Sequence, residues 1–117
     1  MQIYLGLGSN LGERRNQLGH ALGTLHDQGV GISRISPVVE SPAALPEGAP
    51  AEWNRPFLNL AVQCEVSCSP KELLALIEKI HTSMGRHDRT PSCPRPVDID
   101  ILLWGEELIA SDDLIIP

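Results

Sequence analysis

FLNLAVQCEVSCSPKELLALIEKIHTSM, residues 57–84, is the stretch on which the fold turns. Its first ten residues alternate: Leu58, Leu60, Val62, Cys64 and Val66 share one side, while Phe57, Asn59, Ala61, Gln63 and Glu65 share the other. That period of two predicts a half-buried strand. Ser69, Pro70 and Glu72 then supply an N-cap, a proline at the first helical position and the partner of a capping box. Leu73, Ile77, Ile80 and Met84 follow as an apolar stripe that stops at Gly85, so a helix is predicted directly after the strand.

Working outward to the N-terminus, residues Gln2 to Leu7 alternate, with Ile3, Leu5 and Leu7 on one face, and run into Gly6, Gly8 and Gly12. This reads as a strand entering a glycine-marked turn, where the backbone approaches another loop closely. Asn10 is the expected cap of a first helix, with Glu13 three residues on, and Leu18, Ala21, Leu22 and Leu25 recur at helical spacing until Gly29 and Gly31. Gly19 and Gly23 each weaken that helix by roughly 1 kcal/mol relative to Ala, which points to close packing there. Ile32, Ile35, Val38 and Val39 predict a second strand from Ile32 to Glu40, and Pro37 assigns it to a sheet edge or a bulge. Prolines at 42, 46, 50 and 56 exclude regular structure from Ser41 to Pro56, and a loop of that length suits closure over a ligand.

Toward the C-terminus, an Arg- and Pro-rich loop from Arg86 to Pro96 leads into Val97 to Trp104. Val97, Ile99, Ile101 and Leu103 are expected to face the core, with Asp98, Asp100 and Leu102 outward. The segment from Gly105 to Pro117 suits a hairpin built on 108–110 and 114–116. The order β-α-β-β-α-β plus a hairpin predicts an α+β, ferredoxin-like fold: an antiparallel sheet with two helices on one face and the other face open. The 117 residues are expected to form a single domain.

A formal charge of −6 argues against a nucleic-acid partner, whose phosphates need Lys and Arg to neutralise them, and favours a small molecule. No run approaches the roughly 18 apolar residues of a membrane span, and no secretory leader pattern opens the chain, so a cytoplasmic protein without membrane partners is expected. Cys64, Cys68 and Cys93 lack the spacing of a disulfide framework or of paired zinc knuckles and are read as thiols.

Asp98 and Asp100 carry the chemistry. Two residues apart on a strand, they share a face with Cα atoms about 6 to 7 Å apart. Such a pair suits Mg²⁺, which takes one or two protein carboxylates and completes its shell with water and phosphate oxygens. An ordinary solvated strand face reads the same way. Arg86, Arg89 and Arg95 gather positive charge just upstream in an acidic chain, and the forked guanidinium favours a polyphosphate; pairing with Glu106, Glu107, Asp112 and Asp113 is the plain alternative. Gly6 and Gly8 do not complete a dinucleotide fingerprint, because Leu11 stands where a third glycine belongs. His20 and His26 read as surface or half-buried residues, and His81 either touches the site or is solvated.

Together, the stretches GLGSNLG (6–12), FLN (57–59), MGR (84–86) and PRPVDIDILLWG (94–105) resemble the 6-hydroxymethyl-7,8-dihydropterin pyrophosphokinase family of folate biosynthesis. The similarity runs in consistent order from Ile3 to Pro117. The resemblance implies pyrophosphoryl transfer from ATP to the pterin hydroxymethyl group, with AMP released. It implies that Asp98 and Asp100 hold two Mg²⁺ ions and that Arg86 and Arg95 act with them in catalysis. Arg86, Arg95 and Ile101 would contact the nucleotide; Ser41, Pro42, Leu45, Phe57 and Asn59 would form the pterin pocket. The loops Ser41–Pro56 and His87–Pro94 would close over the substrates.

Several positions depart from the family pattern: Ser92 and Cys93 where Trp and Gly are usual, His81 where Glu is usual, Phe57 for Tyr, and Ser41 and Pro96 for Thr. The chain is also read as lacking the usual C-terminal extension. Family members are monomers, and loss of that extension would uncover apolar surface that self-association or a partner would cover. The alternative to an enzyme is a non-catalytic paralogue that binds nucleotide, pterin or a protein partner.

Overall fold

The computed structural model describes residues 1–43, 45, 47–85 and 94–105. Along the chain run β1 (Gln2–Ser9), α1 (Arg14–Asp27), β2 (Gly31–Ile35), β3 (Val39–Ser41), β4 (Phe57–Glu65), α2 (Pro70–Ser83) and β5 (Asp98–Trp104). The sheet is antiparallel in the order β2-β4-β1-β5, with β3 also on β4. β2 and β3 are two pieces of one edge strand. Pro37 has no N–H to give the ladder, and Ser36 bridges the break: its N–H donates to the Ala61 carbonyl at 2.8 Å and its hydroxyl accepts from the Ala61 N–H at 2.8 Å. Counted so, the order is βαββαβ, the ferredoxin-like arrangement expected from the sequence.

The core lies between the sheet and the two helices. Ile3, Leu5 and Leu7 of β1 and Leu58, Leu60, Val62 and Cys64 of β4 project into it. Leu18, Ala21 and Leu25 of α1 and Leu73, Ile77 and Ile80 of α2 meet them from the helical side. The capping box of α2 is complete: the Glu72 N–H donates to the Ser69 hydroxyl at 3.2 Å, and the Ser69 N–H donates to the Glu72 carboxylate at 3.1 Å. The bond from the Ser69 N–H first, and the Ser69 hydroxyl second, hold the Glu72 carboxyl below its usual range.

Five local expectations are corrected. Asn10 does not cap α1; Glu13 occupies that position without a side-chain cap bond, because the Asn10 amide is engaged elsewhere. Gly19 and Gly23 are exposed, and a Cβ on either would meet nothing within 4 Å, so close packing is not their reason. Gly6 and Gly8 lie within β1 rather than in a turn, and the turn falls at Gly12, whose φ is +71°. In β5, Tyr4 pairs with Leu103 but Leu5 with Ile101, so Leu102 is an extra residue on its strand. That bulge reverses the alternation and puts Trp104, not Leu103, in the core. The proline-rich loop also holds one turn of 3-10 helix at Ala51–Trp53.

Among the described residues no helix is long and apolar enough to cross a membrane. The expected terminal hairpin lies outside the described residues.

Candidate active site

On the sheet face opposite the helices, β4, β1 and β5 form a hollow of about 250 Å³ lined by Gly6, Leu7, Gly8, Phe57, Asn59, Leu60, Asp98 and Asp100. Strand register explains its shape. Gly8 pairs with Asn59 on one side and with Asp98 on the other, and Gly6 pairs with Asp100. Two strand spacings put Asn59 and Asp98 about 10 Å apart, and the residue between them has no side chain. The glycines are therefore the floor. A Cβ on Gly8 would come 3.0 Å from Asn59 Oδ1 and 3.3 Å from Phe57 Cδ1; one on Gly6 would come 3.3 Å from Leu102 Cδ1.

One wall of the hollow is polar and aromatic. Ser41 pairs with Phe57 across β3 and β4, and Asn59 Nδ2 donates to the Ser41 hydroxyl at 2.7 Å. Three of the five residues expected at the pterin, Ser41, Phe57 and Asn59, are thus side by side. Pro42 instead lines a second hollow, of about 270 Å³, with Glu40, Ser41, Ala43, Asn54 and Pro56. Leu45 is half-buried and lines neither.

The opposite wall is charged. Asp98 is half-buried and Asp100 exposed, and Arg95 Nη1 donates to Asp98 Oδ2 at 3.2 Å. Arg95 Nε is buried and has no hydrogen-bond partner among the described residues. Ile101 is 3% exposed with its side chain in the core, so a contact with nucleotide through that side chain is not open to it. Arg86 and Arg89, and all of the His87–Pro94 loop except Pro94 itself, lie outside the described residues.

Two residues gain a place that sequence reasoning did not give them. Asn10, 2% exposed, ties the rim together: its Nδ2 donates to the Arg55 carbonyl at 3.1 Å, its Oδ1 accepts from the Arg95 N–H at 2.7 Å, and its own N–H donates to the Arg95 carbonyl at 3.1 Å. An asparagine just before a helix reads first as a cap, which hid this role. His81, 3% exposed, is neither solvated nor in the hollow. Its Nε2 accepts the Ile99 N–H at 3.0 Å, behind the strand that carries both aspartates. His20 and His26 are exposed on α1 as expected.

The chain matches the 7,8-dihydro-6-hydroxymethylpterin-pyrophosphokinase family over residues 4–117. It is 39% identical over 115 residues to the 2-amino-4-hydroxy-6-hydroxymethyldihydropteridine pyrophosphokinase of Aquifex aeolicus, covering 98% of this chain and 68% of that protein. The enzyme of the same name from Bacillus subtilis is 37% identical over 115 residues, covering 97% of this chain and 66% of that one. A folate synthesis bifunctional protein of Chlamydia trachomatis is 38% identical over 117 residues, and there the match covers 98% of this chain but only 26% of the relative. The chain thus spans about a quarter of such bifunctional relatives and about two thirds of the others. A match across nearly all of the chain, on a βαββαβ sheet whose open face bears the Asp98–Asp100 pair, makes this protein a member of the 7,8-dihydro-6-hydroxymethylpterin-pyrophosphokinase family.

Proposed function

We propose that this domain transfers pyrophosphate from ATP to the hydroxymethyl group of 6-hydroxymethyl-7,8-dihydropterin in folate biosynthesis. The observation that carries the reading is the row Asn59–Gly8–Asp98 across three strands, with Asp100 and Arg95 beside it. It sets an amide and an aromatic ring on one side of a flat glycine floor and paired carboxylates with a guanidinium on the other.

Phe57 offers its ring to a planar bicyclic substrate, Asn59 an amide to the heterocycle's polar edge, and Ser41 orients that amide through their hydrogen bond. The substrate hydroxymethyl group then points across Gly8 toward the acids. The hydroxyl oxygen attacks the β-phosphorus of ATP and gives up its proton to water, the bond from that phosphorus to the oxygen bridging it to the α-phosphorus breaks, and AMP leaves with that bond's electron pair. Asp98 and Asp100 suit Mg²⁺: among the described residues no cluster of three His, Cys, Asp or Glu ligands occurs, and two carboxylates leave the remaining positions to water and phosphate oxygens. Two ions held by this pair would neutralise charge on the polyphosphate. Arg95, whose buried Nε has no hydrogen-bond partner among the described residues, supports binding of a phosphate oxygen, and Arg86 is proposed to share that task.

The test is production of AMP from ATP, Mg²⁺ and the hydroxymethyl pterin. Turnover lost when Asp98 and Asp100 are both changed to Asn is the expected result. AMP no higher than that variant yields, with pterin and nucleotide still bound, would instead identify a binding paralogue.

A further inference from the structure

β5 is an edge of the sheet among the described strands, and it carries both acids. Edge strands present backbone groups that no neighbouring strand takes, which leaves their peptide planes less constrained than those of central strands. The Ile99 N–H is such a group. It belongs to the peptide between Asp98 and Ile99, and it donates to His81 Nε2 at 3.0 Å in a buried setting. An acceptor at Nε2 requires the proton on Nδ1, which lies 3.7 Å from Glu78 Oε1 one turn earlier on α2. Helix α2 is itself fixed by its capping box and by Leu73, Ile77 and Ile80 in the core.

We infer that His81 is a positioning residue for the acid pair: the imidazole on α2 locks the Asp98–Ile99 peptide plane and so sets the directions in which the Asp98 and Asp100 carboxylates leave the strand. The side chain lines neither hollow, and its bond to the Ile99 N–H reaches the acids through the backbone. Outer groups that orient metal ligands typically alter metal affinity 10- to 100-fold when removed. The inference rests on the proposed metal role of Asp98 and Asp100.

Three variants test it: His81→Leu, which fills the space without an acceptor; His81→Gln, whose amide oxygen reaches about where Nε2 stands; and Leu73→Ala, which loosens the same helix without touching Ile99. Mn²⁺ affinity is measured by calorimetry with a non-hydrolysable ATP analogue, pterin affinity separately, and Ile99 amide exchange by NMR in metal-free protein. His81→Leu should weaken Mn²⁺ binding about tenfold, leave pterin affinity within about twofold and speed Ile99 exchange about tenfold. His81→Gln should recover most of both losses, and Leu73→Ala should show neither beyond its general loss of stability. Equal behaviour of His81→Leu and Leu73→Ala overturns the inference, as does failure of Gln to rescue. The proposed metal role fails separately, taking the inference with it, if Asp98→Asn with Asp100→Asn binds Mn²⁺ as the unchanged protein does.

Discussion

Asn10 and Arg95 clasp each other across 85 positions of chain: the Asn10 N–H donates to the Arg95 carbonyl, and the Arg95 N–H donates back to Asn10 Oδ1. The remaining Asn10 donor holds the Arg55 carbonyl, so one side chain fixes the end of β1, the loop before β4 and the backbone of the arginine that pairs with Asp98.

Asn10→Ala strands the Arg95 N–H and the Arg55 carbonyl in a part-buried place. The expected loss is about 2 to 3 kcal/mol in urea denaturation, because an unmet buried polar group costs about 1 to 3 kcal/mol. Turnover at a temperature where the variant stays folded should fall at least about tenfold as Arg95 loses its position.

Gly8→Ala puts a methyl group 3.0 Å from Asn59 Oδ1 and 3.3 Å from the Phe57 ring. Pterin affinity should drop at least about tenfold, with the melting temperature lowered by only a few degrees. Gly6→Ala meets only the flexible end of Leu102 and should be milder in both respects. Equal loss of pterin affinity in the two variants would contradict the floor assigned to Gly8.

Gly19→Ala and Gly23→Ala should each stabilise the protein by about 0.5 to 1 kcal/mol. Both residues are exposed within α1, an added Cβ meets open space, and Ala loses less backbone freedom on entering a helix. Thermal unfolding of the double variant checks the sum, and turnover should not change.

Ser69→Ala removes the N-cap of α2 and should lower stability by about 1 kcal/mol. Glu72→Gln tests the other half of the box through pH. The folded Glu72 carboxyl is held below its usual range, so its stabilising contribution is full above the ordinary carboxylate pKa and fades as pH falls through the lowered folded value. The gap between Glu72→Gln and the unchanged protein should therefore be widest near neutral pH and close in acid, as followed by denaturation at a series of pH values.

The strand at 57–66 and the helix after it were legible in sequence because alternation and a capping box are local signals. The same holds for Asp98 and Asp100, whose spacing of two puts both on one face of any strand. Asn10 was misread because its partners, Arg55 and Arg95, are distant in sequence and a cap is the commoner use of an asparagine there. Leu102 shows a second limit: nothing local announces a bulge, yet one extra residue moves Trp104 into the core.

By itself, then, the sequence determined which segments become strands and helices, the βαββαβ order and the pairing of the two acids, since each depends on neighbours a few residues apart. Only the tertiary structure decided what stands opposite what. Register made Gly8 the floor between Asn59 and Asp98, and packing of α2 behind β5 brought a histidine from a helix to the backbone between the acids. Those relationships arise when strands pair and helices dock over long chain separations, and no local pattern of residue types encodes them.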